Sequence, residues 1–340
     1  MMGLIGIICV IVLSYVLWQR QELKKFQITS YEMTTEKVNK DLTIAVISDL
    51  HSFSYGKDNG QLLDAVRAQT PDLILVPGDL IVTAVTEKYD IALSLMKQLT
   101  ALGVPVFFTN GNHESRAQQP EWEYAQCVEY RQYQDKDKKQ LLESAKRRSD
   151  IYRQYWNSRK DHTRFWKSES RQSAVYRQYR EHLKEYGVVI LNNDSCEVTV
   201  NGVPMRISGL ELPLYSYKKG KKPYLEEGYI QKQLGEASRE HMQILLAHHP
   251  AFARQYAAWG ADLTVCGHNH GGLVCIPGIG SIIAPQFFLF PEFDAGEFTI
   301  DGRKLYISRG LGTHTFHVRV FNRAELVVVR VKAERNGMSA

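Results

Sequence analysis

Residues 43–51 read TIAVISDLH. Thr43–Ser48 is a short, β-branched apolar run of the kind that makes a buried strand. It stops at Asp49-Leu50-His51, which sets a carboxylate and an imidazole two residues apart at the strand's end. The arrangement recurs. Asp72–Pro77 (DLILVP) runs into Gly78-Asp79, and Val104–Thr109 (VPVFFT) into Gly111-Asn112-His113-Glu114. Met242–Ala247 leads to His248-His249-Pro250, and Asp262–Cys266 to Gly267-His268-Asn269-His270-Gly271. Between the first of these runs, Gln61–Ala68 and Tyr89–Leu102 space their apolar residues as helices do. Strands that alternate with helices predict a layered α/β domain with buried, largely parallel strands.

Later in the chain the pattern turns to hairpins. Asn201-Gly202 signals one, and Asp301-Gly302 joins Glu297–Ile300 to Lys304–Ser308, because both dipeptides accept the left-handed backbone of a tight turn. Val188–Leu191 and Leu326–Val331 read as further strands. One region breaks the order. From 116 to 186 long polar runs carry aromatics at helical spacing, such as Tyr152, Tyr155 and Trp156, then Tyr176, Tyr179, Leu183 and Tyr186. We expect a helical insertion over 116–186, dividing a catalytic domain into 40–115 and 187–333.

A chain of 340 residues that is 44% hydrophobic can bury a sizeable core. Its net charge of +5 is too mild to argue for nucleic acid. The charge is also localised: residues 116–185 hold 17 Lys/Arg against 11 Asp/Glu. Acids interleaved with bases in this way describe a solvated helical face. The five cysteines are odd in number and show no CxxC spacing, which excludes a disulfide framework and a zinc-ribbon reading. Residues 1–18 contain no charged side chain, and Trp18, Arg20, Lys24 and Lys25 follow as an interfacial end would. We therefore expect residues 1–25 to be an uncleaved, single-pass membrane anchor. Positive charge on the C-terminal flank favours the cytoplasmic over the extracellular side for the body.

In an open α/β sheet, loops at the carboxyl ends of strands line one crevice, so the five loops can converge. Singly, each has an ordinary reading: Gly-Asp is a common turn, and Asn before a helix a common cap. Together they offer carboxylates, imidazoles and an amide oxygen, a mixed set suited to Mn, Fe or Zn. Their order, D-x-H, G-D, G-N-H-[DE], H and G-H-x-H, resembles the calcineurin-like metallophosphoesterase family. The tail around Arg309-Gly310-Leu311-Gly312 and Phe321-Asn322-Arg323 looks most like its membrane-associated bacterial branch.

The resemblance implies a layered β-sandwich of mixed sheets flanked by helices, and two divalent metal ions. Asp49, His51 and His270 would hold one ion, and Asn112, His248 and His268 the other, with Asp79 bridging. It implies hydrolysis of a phosphate ester by a metal-bridging hydroxide, with His113 as general acid or charge stabiliser. A histidine that only orients Asn112 is the other reading of His113. His249, His314 and His317 are not expected to be ligands, and Cys266 is expected to be a core residue. Phosphoprotein phosphatases of the superfamily carry Asp-Arg-Gly after the Gly-Asp, where this chain has Val82-Thr83-Ala84. Lacking that arginine favours a phosphodiester or pyrophosphate, including a lipid-linked one, over a phosphomonoester. The competing reading from another class is a membrane-anchored scaffold with a vestigial metal site, which a missing ligand would support. None is missing.

Overall fold

The computed structural model describes residues 2–83, 88–118, 171–272, 274–276, 280–284, 286–287, 289–313 and 318–334. The expected strand Thr43–Ser48 is β2 (Leu42–Val46), and its neighbours are β3 (Leu73–Val76), β4 (Val106–Phe108) and β5 (Val189–Ile190). These four are parallel. On the other side of β2, β14 (Ala324–Ala333) runs antiparallel to it, and β1 (Phe26–Thr35) lies parallel to β14. The first sheet is thus ordered β1-β14-β2-β3-β4-β5.

The second sheet contains β6 (Asp194–Val200), β7 (Val203–Leu210), β8 (Met242–Ala247), β9 (Leu263–Cys266), β12 (Gly296–Ile300) and β13 (Arg303–Ile307). Its order is β12-β13-β9-β8-β7-β6, with β13, β9, β8 and β7 parallel and a hairpin at each edge. Both hairpins turn where expected: Asn201 and Gly202 have φ of 50° and 82°, and Asp301 and Gly302 have 49° and 76°. Two short strands, β10 (Cys275–Ile276) and β11 (Gly280–Ser281), form a separate ribbon.

Strand periodicity explains the layers. Ile44, Val46, Leu73, Leu75 and Phe107 of the first sheet pack against Ile207, Ile244, Leu246 and Val265 of the second. The alternate residues, Ala45, Ile74, Val76 and Phe108, face α2 (Gly60–Ala68), α3 (Tyr89–Thr100) and α5 (Arg171–Glu185). On the outer face of the second sheet Leu245 and Ala247 pack against α6 (Tyr229–Leu234) and α7 (Ala253–Trp259). Because both faces of β2, β3 and β8 are covered, their sequences are apolar throughout instead of alternating.

Most of the expected insertion lies outside the described residues. Its two ends do not. The helix α4 (Asn112–Gln118) packs on α5, and Tyr176, Tyr179 and Leu183 of α5 are buried in the core with Tyr89. Residues 171–185 are therefore part of the α/β core, because the aromatics at helical spacing have an apolar sheet face to cover.

Residues 2–22 form a helix, α1 (Met2–Glu22). Among the described residues no helix is long and apolar enough to cross a membrane. The side chains of residues 1–5, 8, 9, 11 and 12 are outside the description, and the described remainder includes the polar Ser14, Tyr15, Gln19, Arg20 and Gln21. The transmembrane expectation thus finds no support in the structure.

Candidate metal centre

The parallel strands β2, β3 and β4 of one sheet and β8 and β9 of the other end on the same side of the sandwich. The loops beyond them bring Asp49, His51, Asp79, Asn112, His113, His248, His268 and His270 together. Backbone hydrogen bonds fix the approach: Asp49 N donates to Gly78 O (3.1 Å), His51 N to Asp79 O (3.1 Å) and Gly267 N to His248 O (3.1 Å). The glycines of the motifs serve this closeness. A side chain at Gly111 would collide with the Asp79 carboxylate, and one at Gly267 with Asp49 and Ser48.

Two ligand clusters result, Asp49, His51 and His270 on one side and Asp79, His248 and His268 on the other, and a third grouping, His51, Asp79 and His113, overlaps both. His51 Nε2 stands 3.0 Å from His270 Nε2, and His270 Nε2 stands 3.4 Å from Asp49 Oδ1. His248 Nε2 lies 3.1 Å from Asp79 Oδ2 and 3.8 Å from Asp49 Oδ1, while His51 Nε2 is 3.9 Å from the same Asp79 oxygen. Asp79 Oδ2 therefore faces both clusters, whereas Asp79 Oδ1 is occupied by His113 N at 2.8 Å.

The donor set fits a pair of divalent ions. His248 Nδ1 donates to Pro77 O (2.7 Å), which turns Nε2 inward, buried and facing Asp79 Oδ2. The Asn112 side-chain oxygen lies 2.9 Å from His268 Nδ1, two electron-pair donors facing each other. Hydrogen bonding alone would rotate that amide so that its NH2 met the imidazole. Ligand bonds of about 2.1 Å put neighbouring ligand atoms about 3 Å apart, so a shared cation accounts for the observed orientation. Electrostatics agree. Burial disfavours a charged imidazole, yet the Asp79 and Asp49 carboxylates outweigh it and raise His248 to about 9. The two carboxylates split: burial pushes Asp49 up to about 6, while for Asp79 the surrounding imidazoles, His248 foremost, overcome burial and hold it well below the usual range. The cavity attracts positive charge.

His113 sits beside the first cluster, its ring 5.0 Å from that of His51. Its Nδ1 accepts from Thr83 N (3.1 Å) and lies 2.9 Å from Thr83 Oγ1, which itself donates to His113 O (2.8 Å). A nitrogen that accepts a backbone N–H is unprotonated, so the neutral ring carries its proton on Nε2. His249 is engaged on both nitrogens: Nδ1 accepts from Ala251 N (3.3 Å) and Nε2 donates to Gln286 Oε1 (3.1 Å). Burial lowers it to about 3, and it remains neutral. Cys266 is buried. His314 and His317 lie outside the described residues.

Three supporting residues had no role assigned to them in the sequence. Glu114 is buried, and its carboxylate accepts from Asp79 N (2.9 Å), Gly111 N (3.1 Å), Leu80 N (2.8 Å) and Ile81 N (3.3 Å). Burial and the Asp79 charge push this carboxyl up to about 8. All four partners are N–H donors, however, which only the ionised form accepts fully. Arg319, also buried, donates through Nη2 to the carbonyls of Arg309 (2.9 Å), Gly310 (3.1 Å) and Gly312 (2.7 Å), and Gly312 N in turn donates to Asp49 O (2.6 Å). Tyr217 packs edge-on to His268, with ring centroids 4.9 Å apart, and stacks on His249 at 5.3 Å. Glu114 was legible as the acidic end of Gly-Asn-His-Glu; nothing local marks Arg319 or Tyr217.

The family model described as calcineurin-like phosphoesterase matches residues 42–272. An uncharacterized metallophosphoesterase of Campylobacter jejuni, Cj0846, is 24% identical over 315 residues, 92% of this chain and 65% of its own length. An uncharacterized metallophosphoesterase of Bacillus subtilis, YkuE, is 29% identical over 100 residues, 29% of this chain and 34% of its own. The chain thus spans about two thirds of the first relative and a third of the second. The B. subtilis protein YpbG is 22% identical over 306 residues, covering 88% of this chain and 85% of its own. Among solved structures, a phosphopantetheinyl hydrolase of Mycobacterium tuberculosis is 16% identical with a TM-score of 0.39, covering 78% of this chain and 88% of that one. A dimetal phosphatase of Danio rerio is 14% identical with a TM-score of 0.35, covering 79% and 88%.

Proposed function

This chain belongs to the calcineurin-like phosphoesterase family, and from that premise we propose that it hydrolyses a phosphodiester or pyrophosphate bond with two divalent ions. The observation that carries the reading is one buried crevice in which two ligand clusters meet at Asp79. Asp49, His51 and His270 would hold one ion, Asn112, His248 and His268 the other, and Asp79 Oδ2 both. When bound, such a pair polarises phosphoryl oxygens and supplies an activated water near neutral pH.

The chain's own residues do the rest. The Asp79 carboxylate would offset the repulsion between the two ions. Thr83 fixes His113 with its proton on Nε2, so the neutral ring donates that proton toward the leaving-group oxygen. Thr83 also occupies the stretch where phosphoprotein phosphatases carry their Asp-Arg-Gly, which supports a substrate with less charge per phosphorus. A lipid-linked substrate, membrane attachment through residues 1–25 and a body on the cytoplasmic side belong to the same reading.

The test is hydrolysis by manganese-loaded protein of a bis-nitrophenyl diester, a nitrophenyl monoester and a nucleotide-sugar lipid. We expect metal-dependent turnover of the diester or the pyrophosphate in excess of the monoester. Monoester preference would reject the substrate class, and no metal-dependent turnover of any of the three would reject the reading.

A further inference from the structure

Beside the His268–His270 loop the chain builds a small flap. Val320 bridges Val274, and Cys275 N donates to Val320 O (3.1 Å). Ile282 N donates to Val274 O (3.0 Å), Phe290 N to Ile282 O (2.9 Å), and Ile283 bridges Leu289. Residues 320, 274, 282 and 290 therefore lie on four neighbouring segments. The apolar side chains they carry point outward: Phe321 is 73% exposed, Leu289 65%, Phe290 62% and Phe287 55%. Single exposed hydrophobes are ordinary, but a contiguous patch marks a contact surface.

Two neighbours indicate what covers it. The first is the run Lys218-Lys219-Gly220-Lys221-Lys222. Gly220 N donates to Gln286 O (3.0 Å), Gln286 Nε2 donates to Ser216 O (3.2 Å), and Lys219 Nζ stands 4.9 Å above the Phe287 ring. The lysine loop and the aromatic loop form one surface. The second neighbour is α1. Gln19 Nε2 donates to Arg319 O (2.9 Å), Arg319 N donates to Gln19 Oε1 (3.2 Å), and Glu22 pairs with Arg323. These contacts bracket Phe321 in sequence, so α1 leaves from the edge of the flap, with Ile7, Val10 and Leu13 about 60% exposed.

We propose that the flap docks on an anionic bilayer surface, its aromatic rings at headgroup depth and its lysines against lipid phosphates. Rings with lysine ammonium groups beside them suit the boundary between acyl chains and headgroups, where each part meets its own solvent. A second copy of this chain is a poorer occupant, because a two-fold contact would bring four lysines against four. The flap reaches the site through Gln286, which accepts from His249, whose ring lies 4.4 Å from that of His268, and through Asn322, whose Nδ2 donates to His270 O (2.6 Å). A headgroup at the docked surface is thus adjacent to the crevice, and the substrate is drawn from the bilayer; this second half rests on the phosphoesterase reading.

The experiment uses the full chain with vesicles of phosphatidylcholine and phosphatidylglycerol at 7:3, the phosphatidylcholine brominated to quench indole fluorescence. Phe290→Trp and, separately, Phe321→Trp should each add a blue-shifted, quenched component absent from the wild type, whose own tryptophans give the baseline. Lys221→Gln with Lys222→Gln should raise the vesicle concentration for half-maximal quenching of Trp at 290 about thirtyfold. If both reporters fold, by circular dichroism, and neither is quenched, the docking surface is refuted, whether or not the native Trp18 is quenched. Quenching replaced by concentration-dependent self-association refutes it equally. Hydrolysis of the soluble diester by the manganese-loaded wild type is measured in parallel: its absence counts against the phosphoesterase reading alone, and unquenched reporters on an active enzyme count against the docking alone.

Discussion

Glu114→Gln tests whether the metal loops are held by a single carboxylate. The four N–H groups of Asp79, Leu80, Ile81 and Gly111 all end on Glu114. The amide is nearly isosteric and keeps one carbonyl oxygen, which serves two of the four donors. The other two then face an NH2 group. Each buried donor left unsatisfied costs about 1–3 kcal/mol, so the substitution should destabilise the protein by about 2–6 kcal/mol. That is a large share of the roughly 5–15 kcal/mol that holds a domain folded. Because the donors flank Asp79 and Asn112, relaxation of the loops should also weaken manganese affinity by about 10–100-fold, as loss of a ligand-orienting partner does. Urea unfolding of the metal-free protein gives the first number, and calorimetric titration with manganese the second. If Glu114→Gln unfolds at the wild-type urea concentration and binds manganese as tightly, the carboxylate does not organise the site.

Asp79→Asn should leave the fold intact and abolish metal-dependent hydrolysis, by a factor of about 100 or more, because both ligand clusters share this oxygen; metal analysis by mass spectrometry should show fewer than two ions per chain. His113→Ala should slow an ester with a poor leaving group far more than a nitrophenyl ester at unchanged metal content, and Thr83→Val should show the same selectivity more weakly because the ring loses its hydroxyl partner. Chelation should lower the melting temperature and readdition of manganese restore it, by an increment that grows with metal concentration as ligand linkage requires. Replacing residues 119–170 with a short Gly/Ser linker, while keeping α4 and α5, should preserve the cleavage of small aryl diesters and reduce turnover of a large lipid-linked substrate, whose remote binding energy is lost.

The buried strands were legible because each is an uninterrupted apolar run followed by a functional loop: β2, β3, β4, β8 and β9 were all expected within a residue or two. Strand β1 was not. Its sequence, FQITSYEMTT, is half polar and largely solvent-facing, so as an edge strand it shows no apolar run; its place depends on ten backbone pairings with β14 from the far end of the chain. The role of residues 171–185 escaped for the converse reason. Polar residues spaced between Tyr176, Tyr179 and Leu183 read as a solvated helix, and only the fold reveals that those three side chains are buried. Arg319 belongs to the same class, since its donors reach carbonyls ten residues upstream and its burial is set by α1, whose Gln19 lies 300 residues away.

The residues of the candidate site were legible in the sequence as a motif, but their backbone conformation was not. Asp49, His51, Asp79, His268 and His270 all have φ between 48° and 69°, a left-handed conformation that non-glycine residues adopt at a cost of about 1–3 kcal/mol each. No residue type at these positions announces it. Strand β2 ends at Val46, and the positive φ at Asp49 and His51 turns the chain out of the sheet into the loop that approaches Asp79. The strain is tolerable because the strands before these loops are buried on both faces, and because the loops are tied down by Glu114 on one side and by the Arg319-held segment on the other. The residues that read as a motif in the sequence thus carry left-handed backbone conformations in the fold, and the restraint falls on their neighbours.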